Sequence, residues 1–148
     1  MLVRDLMQRE VATLKASESL GLAEDIMHLG RIRHLPVVSA GVVVGIVSQR
    51  DLYRAAASCM LQLRRSTERE WLACIPVRAV MTTNVITMAP DDTIHDAVEL
   101  MLRHRIGCVP VVEHGKLVGL VSETDCLRYL ARVLDISEEK AGLPELQQ

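Results

Sequence analysis

The sequence predicts an α/β fold of the α+β kind: tandem β-α-β-β-α units whose two small sheets pack together with pseudo-twofold symmetry. Three observations carry this. Residues 3–57 align with residues 77–131 at one constant offset and without a gap, and roughly a third of the aligned positions are identical. Each copy alternates helically spaced apolar residues with short β-branched runs. A unit of about 55 residues whose sheet has only one helix-covered face is marginal alone, so two units are expected to close sheet against sheet.

Each element follows in order. In the first copy "VAT" is a short apolar strand, and Ser17 or Ser19 caps a helix whose Leu20, Ala23, Ile26, Met27 and Gly30 recur at helical spacing. The second copy repeats this with Asp91 as the expected cap before Ile94, Ala97, Val98 and Met101, and both Met27 and Met101 are expected to fill core. "LPVVSAGVVVGIV" and "VPVVEHGKLVGLV" are antiparallel hairpins, with Gly41 and Gly115 at the turn position that needs positive φ. A helix follows each hairpin, the first running long through "DLYRAAASCMLQLRRSTEREWLA" until Ile75-Pro76 ends it. The boundaries are residues 1–57 for the first unit, 58–76 for a helical linker, 77–135 for the second unit and 136–148 for a C-terminal tail.

Composition narrows the function. Hydrophobic residues make up 49% of 148, yet no apolar run approaches the ~18 residues of a membrane span, and "MLVRDLMQRE" puts charges where a signal peptide needs an apolar stretch. A soluble, cytoplasmic chain without membrane contact is expected. Cys59, Cys74, Cys108 and Cys126 lack metal-ligand or redox spacing and are expected as buried free thiols, with no metal site. A net charge of −2, no Phe, two Tyr and one Trp leave little to attract a nucleic-acid polymer or stack its bases.

The motif with chemical content is Gly-φ-φ-Ser-x-x-Asp, φ being aliphatic, present as "GIVSQRD" at 45–51 and "GLVSETD" at 119–125. A serine followed three residues later by an acid matches a helix capping box. It also places a hydroxyl, free N–H groups and a carboxylate at one helix N-terminus, where anions are favoured. Together with "HLPVV" and "CVPVV" before each hairpin and the β-α-β-β-α order, the duplicated signature resembles the cystathionine β-synthase (CBS) domain, and the pair resembles a Bateman module.

The resemblance implies binding of an adenosyl compound, chiefly AMP, ADP or ATP and in some members S-adenosylmethionine or a dinucleotide such as NAD, as a regulatory ligand in clefts between the units. Asp51 and Asp125 suit ribose, because a carboxylate repels phosphate but accepts hydrogen bonds from vicinal hydroxyls. Ser48 and Ser122 suit phosphate. Cationic partners for phosphate stand just before the second strand of each copy: Arg31, Arg33 and His34 in one, Arg103, His104 and Arg105 in the other. Gly107 aligns with Arg33, so the two sites are expected to differ.

The adenine slot implied by the family is lined by Ala12 and Ile32, or by Ile86, Ile106 and Gly107, while the aligned Leu35 and Val109 belong to the core. The matching aspartate comes from the partner unit, so Asp125 is expected at the Ile32 slot and Asp51 at the Ile106 slot. A homodimer is implied, with an unidentified target protein as a further partner. Two other classes stand beside this one. A small hydrolytic enzyme with Ser48 or Ser122 as nucleophile lacks a repeated histidine as base, since His28, His34, His95, His104 and His114 have no aligned histidine and are expected at the surface. A ligand-free dimerisation or interaction module needs only the sheet-packed pair.

Overall fold

The computed structural model describes residues 1–62 and 68–141, with the side chains of 59–62 and 136–141 excepted. The middle of the expected long helix, the end of the tail and the Cys59 side chain lie outside the described residues. Element order is α1 (Val3–Leu6), α2 (Leu20–Gly30), β1 (His34–Ser39), β2 (Val42–Ser48), α3 (Gln49–Gln62), α4 (Glu68–Cys74), a 3-10 turn (Val77–Ala79), α5 (Ile94–His104), β3 (Cys108–Glu113), β4 (Lys116–Ser122) and α6 (Glu123–Ala141). Of the expected long helix, the described parts are α3 and α4, and α4 packs against both α2 and α3 and buries Leu72 in their core. No helix among the described residues is long and apolar enough to cross a membrane.

Both hairpins form in equivalent register, Pro36 opposite Ile46 and Pro110 opposite Leu120. Gly41 and Gly115 have φ of 80° and 77°, and Ala40 and His114 before them are also left-handed at 49°. Positive φ at both central residues makes the two-residue turn whose twist suits a hairpin.

The expected first strands are not strands. One residue in each copy reaches the sheet: Leu14 donates its N–H to Pro36 O (3.0 Å) and accepts from Val38 N (2.8 Å), and Met88 does the same with Pro110 and Val112. The reason is proline. In a parallel ladder the next bond back would run from the N–H of residue 36 to residue 12, and proline has no N–H. The ladder therefore stops short of "VAT" in one copy, and Pro110 stops it in the other.

Helix α2 is capped by Ser19, whose Oγ accepts from Leu22 N (3.1 Å). Its counterpart in α5 is Thr93, accepting from Asp96 N at 3.0 Å, and not Asp91, which pairs instead with Arg4 at 2.7 Å. Thr93 wins because its hydroxyl also donates to Asp96 Oδ2 at 2.7 Å, a reciprocity that Asp91 lacks. Met27 and Met101 are both core, as are Leu35 and Val109. Cys108 is buried, but Cys126 is half-buried and Cys74 exposed.

The two cores exchange their leading segments. Val3 and Met7, which begin the first copy, pack with Met88, Ala97, Met101 and Val111 of the second. Val77 and Met81, which begin the second, pack with Leu14, Leu20 and Val37 of the first. Backbone bridges fix both crossings, Gln8 to Leu120 and Thr82 to Ile46. The signature glycines lie directly beneath. A Cβ at Gly45 would stand 2.5 Å from Met81 Sδ, and one at Gly119 would stand 2.5 Å from Met7 Sδ and 3.0 Å from the Gln8 carbonyl. Gly119→Ala is therefore expected to cost about 1–3 kcal/mol as an overpacked site, measured by chemical denaturation. Unchanged stability would show that Met7 does not bear on this glycine.

Candidate functional site

Strand β2 ends at Ser48 and α3 begins at Gln49, whose N–H donates to Arg33 O at 2.8 Å. Ser48 N–H and Oγ both donate to Asp51 Oδ2 (2.7 and 2.8 Å), and Asp51 N–H donates back to Ser48 Oγ at 3.2 Å. Ser122 and Asp125 repeat the arrangement at 2.9, 2.6 and 3.3 Å. Both motifs are capping boxes. Each uses one carboxylate oxygen, and the other oxygen distinguishes the copies. Asp51 Oδ1 has no hydrogen bond among the described residues, whereas Asp125 Oδ1 accepts from Gln8 Nε2 at 3.1 Å and lies 3.8 Å from the Arg128 guanidinium.

Asp51 lines a cavity of about 520 Å³ between the units. The first unit contributes Ser48, Asp51, Arg33 and His34, and the second contributes Ile86, Arg105, Ile106 and Gly107. Asp51 and the Ile106 loop thus face the same space. Seven expected residues do not line it: Ala12, Arg31, Ile32, Arg103, His104, Ser122 and Asp125. Arg31 is the left-handed C-cap of α2 (φ 50°) and exposed, and Arg103 and His104 are exposed in the last turn of α5. Ile32 packs against the first core.

The cavity also contains residues that the sequence reading passed over. Arg50 and Arg54 project from the first turns of α3, and Thr82 and Asn84 follow the crossing segment. Arg54 had a visible signal, since Arg128 aligns with it one turn after the second aspartate. Four arginines (Arg33, Arg50, Arg54, Arg105) face two acids (Asp51, Glu123), so the wall is net cationic. Arg33 also donates to Thr124 Oγ1 at 3.3 Å.

His34 is not at the surface. Its ring lies on Gly107, where a Cβ would meet Cε1 at 2.8 Å, which explains the glycine opposite Arg33. Burial, then Arg33, lowers its pKa below the ordinary value, with Glu123 and Asp51 opposing and Arg50 adding to the depression. At the aligned position, burial and Glu123 push the Cys108 thiol up to about 12, leaving it an inert packing group. Because the unfolded chain takes up a proton at His34 before the folded one, its contribution to stability is complete above about pH 6.5 and is lost as pH falls through the lower folded value. His34→Gln should flatten the stability profile between about pH 7 and 5, followed by denaturation at each pH. An unchanged slope would remove His34 as its source.

The CBS domain family model matches residues 3–58 and 77–132. The CBS domain-containing protein YhcV of Bacillus subtilis is 30% identical over 140 residues, covering 95% of this chain and 89% of YhcV. Protein MJ1225 of Methanocaldococcus jannaschii is 33% identical over 137 residues, 88% of this chain, but the chain spans only 49% of that relative. A homoserine O-acetyltransferase of Methanococcoides burtonii is matched over 24% of its length at 34% identity, across 86% of this chain. Among solved structures, the CBS-domain containing protein ATU1752 from Agrobacterium tumefaciens superposes with a TM-score of 0.74 at 30% identity, covering 88% of this chain and 99% of that one. The CBS domain pair of protein MJ0100, in complex with 5-methylthioadenosine and S-adenosyl-L-methionine, superposes with a TM-score of 0.73 at 28% identity, covering 89% and 97%. The duplicated hairpin, the two capping boxes and the space between the units are thus those of a tandem pair, and the chain belongs to the CBS-domain family.

Proposed function

We propose that this pair is a regulatory ligand-sensing module that binds a phosphorylated adenosyl compound, AMP, ADP or ATP, in the cavity at Asp51. The observation that carries the reading is a cavity with four arginines lined by Asp51, whose Oδ1 has no hydrogen bond among the described residues. Asp51 Oδ1 accepts from the ribose hydroxyls while Oδ2 keeps the helix capped. Ser48, Arg33, His34 and Arg105, joined by Arg50 and Arg54, receive phosphate, for which planar guanidinium groups are well matched. Ile86 and Ile106 wall the adenine, beside Gly107 and the His34 ring that lies on it.

The complex of the MJ0100 pair with two adenosyl compounds supports the ligand class. The cationic wall favours phosphate over the sulfonium of S-adenosylmethionine, and the adenylate half of NAD fits the same groups. The role is regulatory and not catalytic, because the hydroxyl of Ser48 is committed to Asp51, and no histidine among the described residues is in hydrogen-bond contact with it. Its output passes in trans, to a target protein, or through self-association in the cytoplasm. Asp51→Asn should keep the cap's shape and fold while losing about 1.5–3 kcal/mol of AMP binding. In calorimetric titration, 2′-deoxy-AMP should bind the wild type more weakly than AMP does, and the asparagine variant should lose most of that discrimination. Equal discrimination in both proteins would reduce the motif to a cap.

Self-association has its own support. Leu127, Leu130 and Leu134 form one exposed stripe on α6, at 64, 50 and 52% exposure, too apolar to be left in water along a helix face. The same stripe favours a second reading, a dimerisation module needing no ligand, which the AMP titration separates from the first. Light scattering at micromolar concentration should give about twice the 16.4 kDa chain mass, and a monomer across that range would refute the dimer.

A further inference from the structure

The two clefts of a duplicated pair start equivalent, and here one side chain makes them unequal. We propose that Gln8 fills the second cleft from within, so that the chain takes one adenine nucleotide, at Asp51, and that Gln8 is the residue setting this stoichiometry. The inference rests on the nucleotide reading above.

Gln8 and Thr82 occupy aligned positions, both at the crossing of a leading segment over the other unit's hairpin. Their backbones are held alike: Gln8 exchanges bonds of 2.9 and 3.0 Å with Leu120, and Thr82 exchanges bonds of 2.9 and 3.0 Å with Ile46. Only the side chains differ. The Gln8 amide reaches Asp125 and donates to Oδ1 at 3.1 Å, so the oxygen equivalent to the open one on Asp51 is occupied and Asp125 is only 6% exposed. An amide N–H offers that carboxylate what a ribose hydroxyl would offer, a neutral donor at hydrogen-bond distance. Threonine is too short for this. Thr82 lines the Asp51 cavity, and no hydrogen bond joins it to Asp51 among the described residues.

Charge follows the same direction. Arg50 and Asn84, which line the open cavity, are replaced at the aligned positions by Thr124 and Glu10. One guanidinium is lost and one carboxylate gained, both against a phosphate. Arg33, which lines the open cavity and donates to Thr124 Oγ1, is a cation that both sides share and does not offset that difference. A nucleotide at Asp125 would have to displace the Gln8 amide, leaving it to find a new partner, in a less cationic place.

Calorimetric titration with AMP into the wild type, Asp51→Asn, Gln8→Thr and the double variant tests this. Threonine is the residue that the other crossing already carries, so the backbone bridge accommodates it. The expected results are one site in the wild type; no remaining site of wild-type affinity in Asp51→Asn, its affinity falling about ten-fold or more; two sites in Gln8→Thr; and one retained site in the double variant. Two sites in the wild type, or an undiminished site in Asp51→Asn, would overturn the proposal without any Gln8 variant being needed. A single site in Gln8→Thr would overturn the role of Gln8 while leaving the nucleotide reading intact. Absence of binding in both the wild type and Gln8→Thr would overturn the nucleotide reading, and this inference with it.

Discussion

Met7 lies across Gly119 and Met81 lies across Gly45, and the rest of the architecture hangs on these two crossings. Each carries a leading segment out of its own unit and into the other's core, so that Val3 and Met7 are buried with the second hairpin and Val77 and Met81 with the first. Burying side chains of this size contributes about 1.5–3 kcal/mol each. Neither core is complete without the other unit's chain, which couples their folding more tightly than face-to-face packing of finished units would. The crossing also makes the cleft. It lays Thr82 and Asn84 beside the first unit's Ser48 and Asp51, so a space walled by both units arises wherever the exchange occurs.

A carboxylate has two oxygens, and this resolves the tension between cap and site. The helix needs only one of them: Oδ2 receives both Ser48 donors, and the reciprocal bond from Asp51 N completes the box. The geometry that satisfies the helix end restrains the carboxylate and leaves Oδ1 without a hydrogen bond among the described residues, so less rotamer freedom remains to be lost on binding. Capping is therefore a means of preorganising the acceptor. Arg50, in the first turn of that helix, and Arg54, one turn further on, line the same cavity.

What the sequence made legible was whatever the backbone repeats locally. The hairpin turn was visible at Gly41 because only positive φ serves there, and the capping box at Ser48 because its two residues are three apart. The pairing of Asp51 with the Ile106 loop came from family resemblance, and the structure places both on one cavity. Errors arose where a local signal had a competitor. "VAT" has strand composition, but Pro36, itself a marker of the hairpin, withholds the N–H that a ladder reaching Ala12 would need. Asp91 has cap chemistry, but Thr93 has the reciprocal partner. Arg31 and Arg103 sit close in sequence to residues that line the cavity, yet they occupy an exposed helix end, because the chain turns through left-handed Arg31 and Arg105 before entering the strands. The crossings had no local signature beyond an unexplained glycine, since the contacts they make are distant in sequence.

The identities between the two copies now acquire a physical sorting. Met7 with Met81, Gly45 with Gly119, Pro36 with Pro110, and the serine and aspartate of each capping box are positions where the backbone path itself depends on the residue. At these positions a substitution would disturb the core on which the residue packs. Positions whose side chains merely face the cleft carry no such burden, and that is where the copies part: Thr82 from Gln8, Arg50 from Thr124, Asn84 from Glu10, Gly107 from Arg33, Cys108 from His34. Symmetry of scaffold and asymmetry of lining are thus two sides of one constraint. A duplicated fold held together by exchange must keep its crossings alike, and for that reason its two clefts are free to become different.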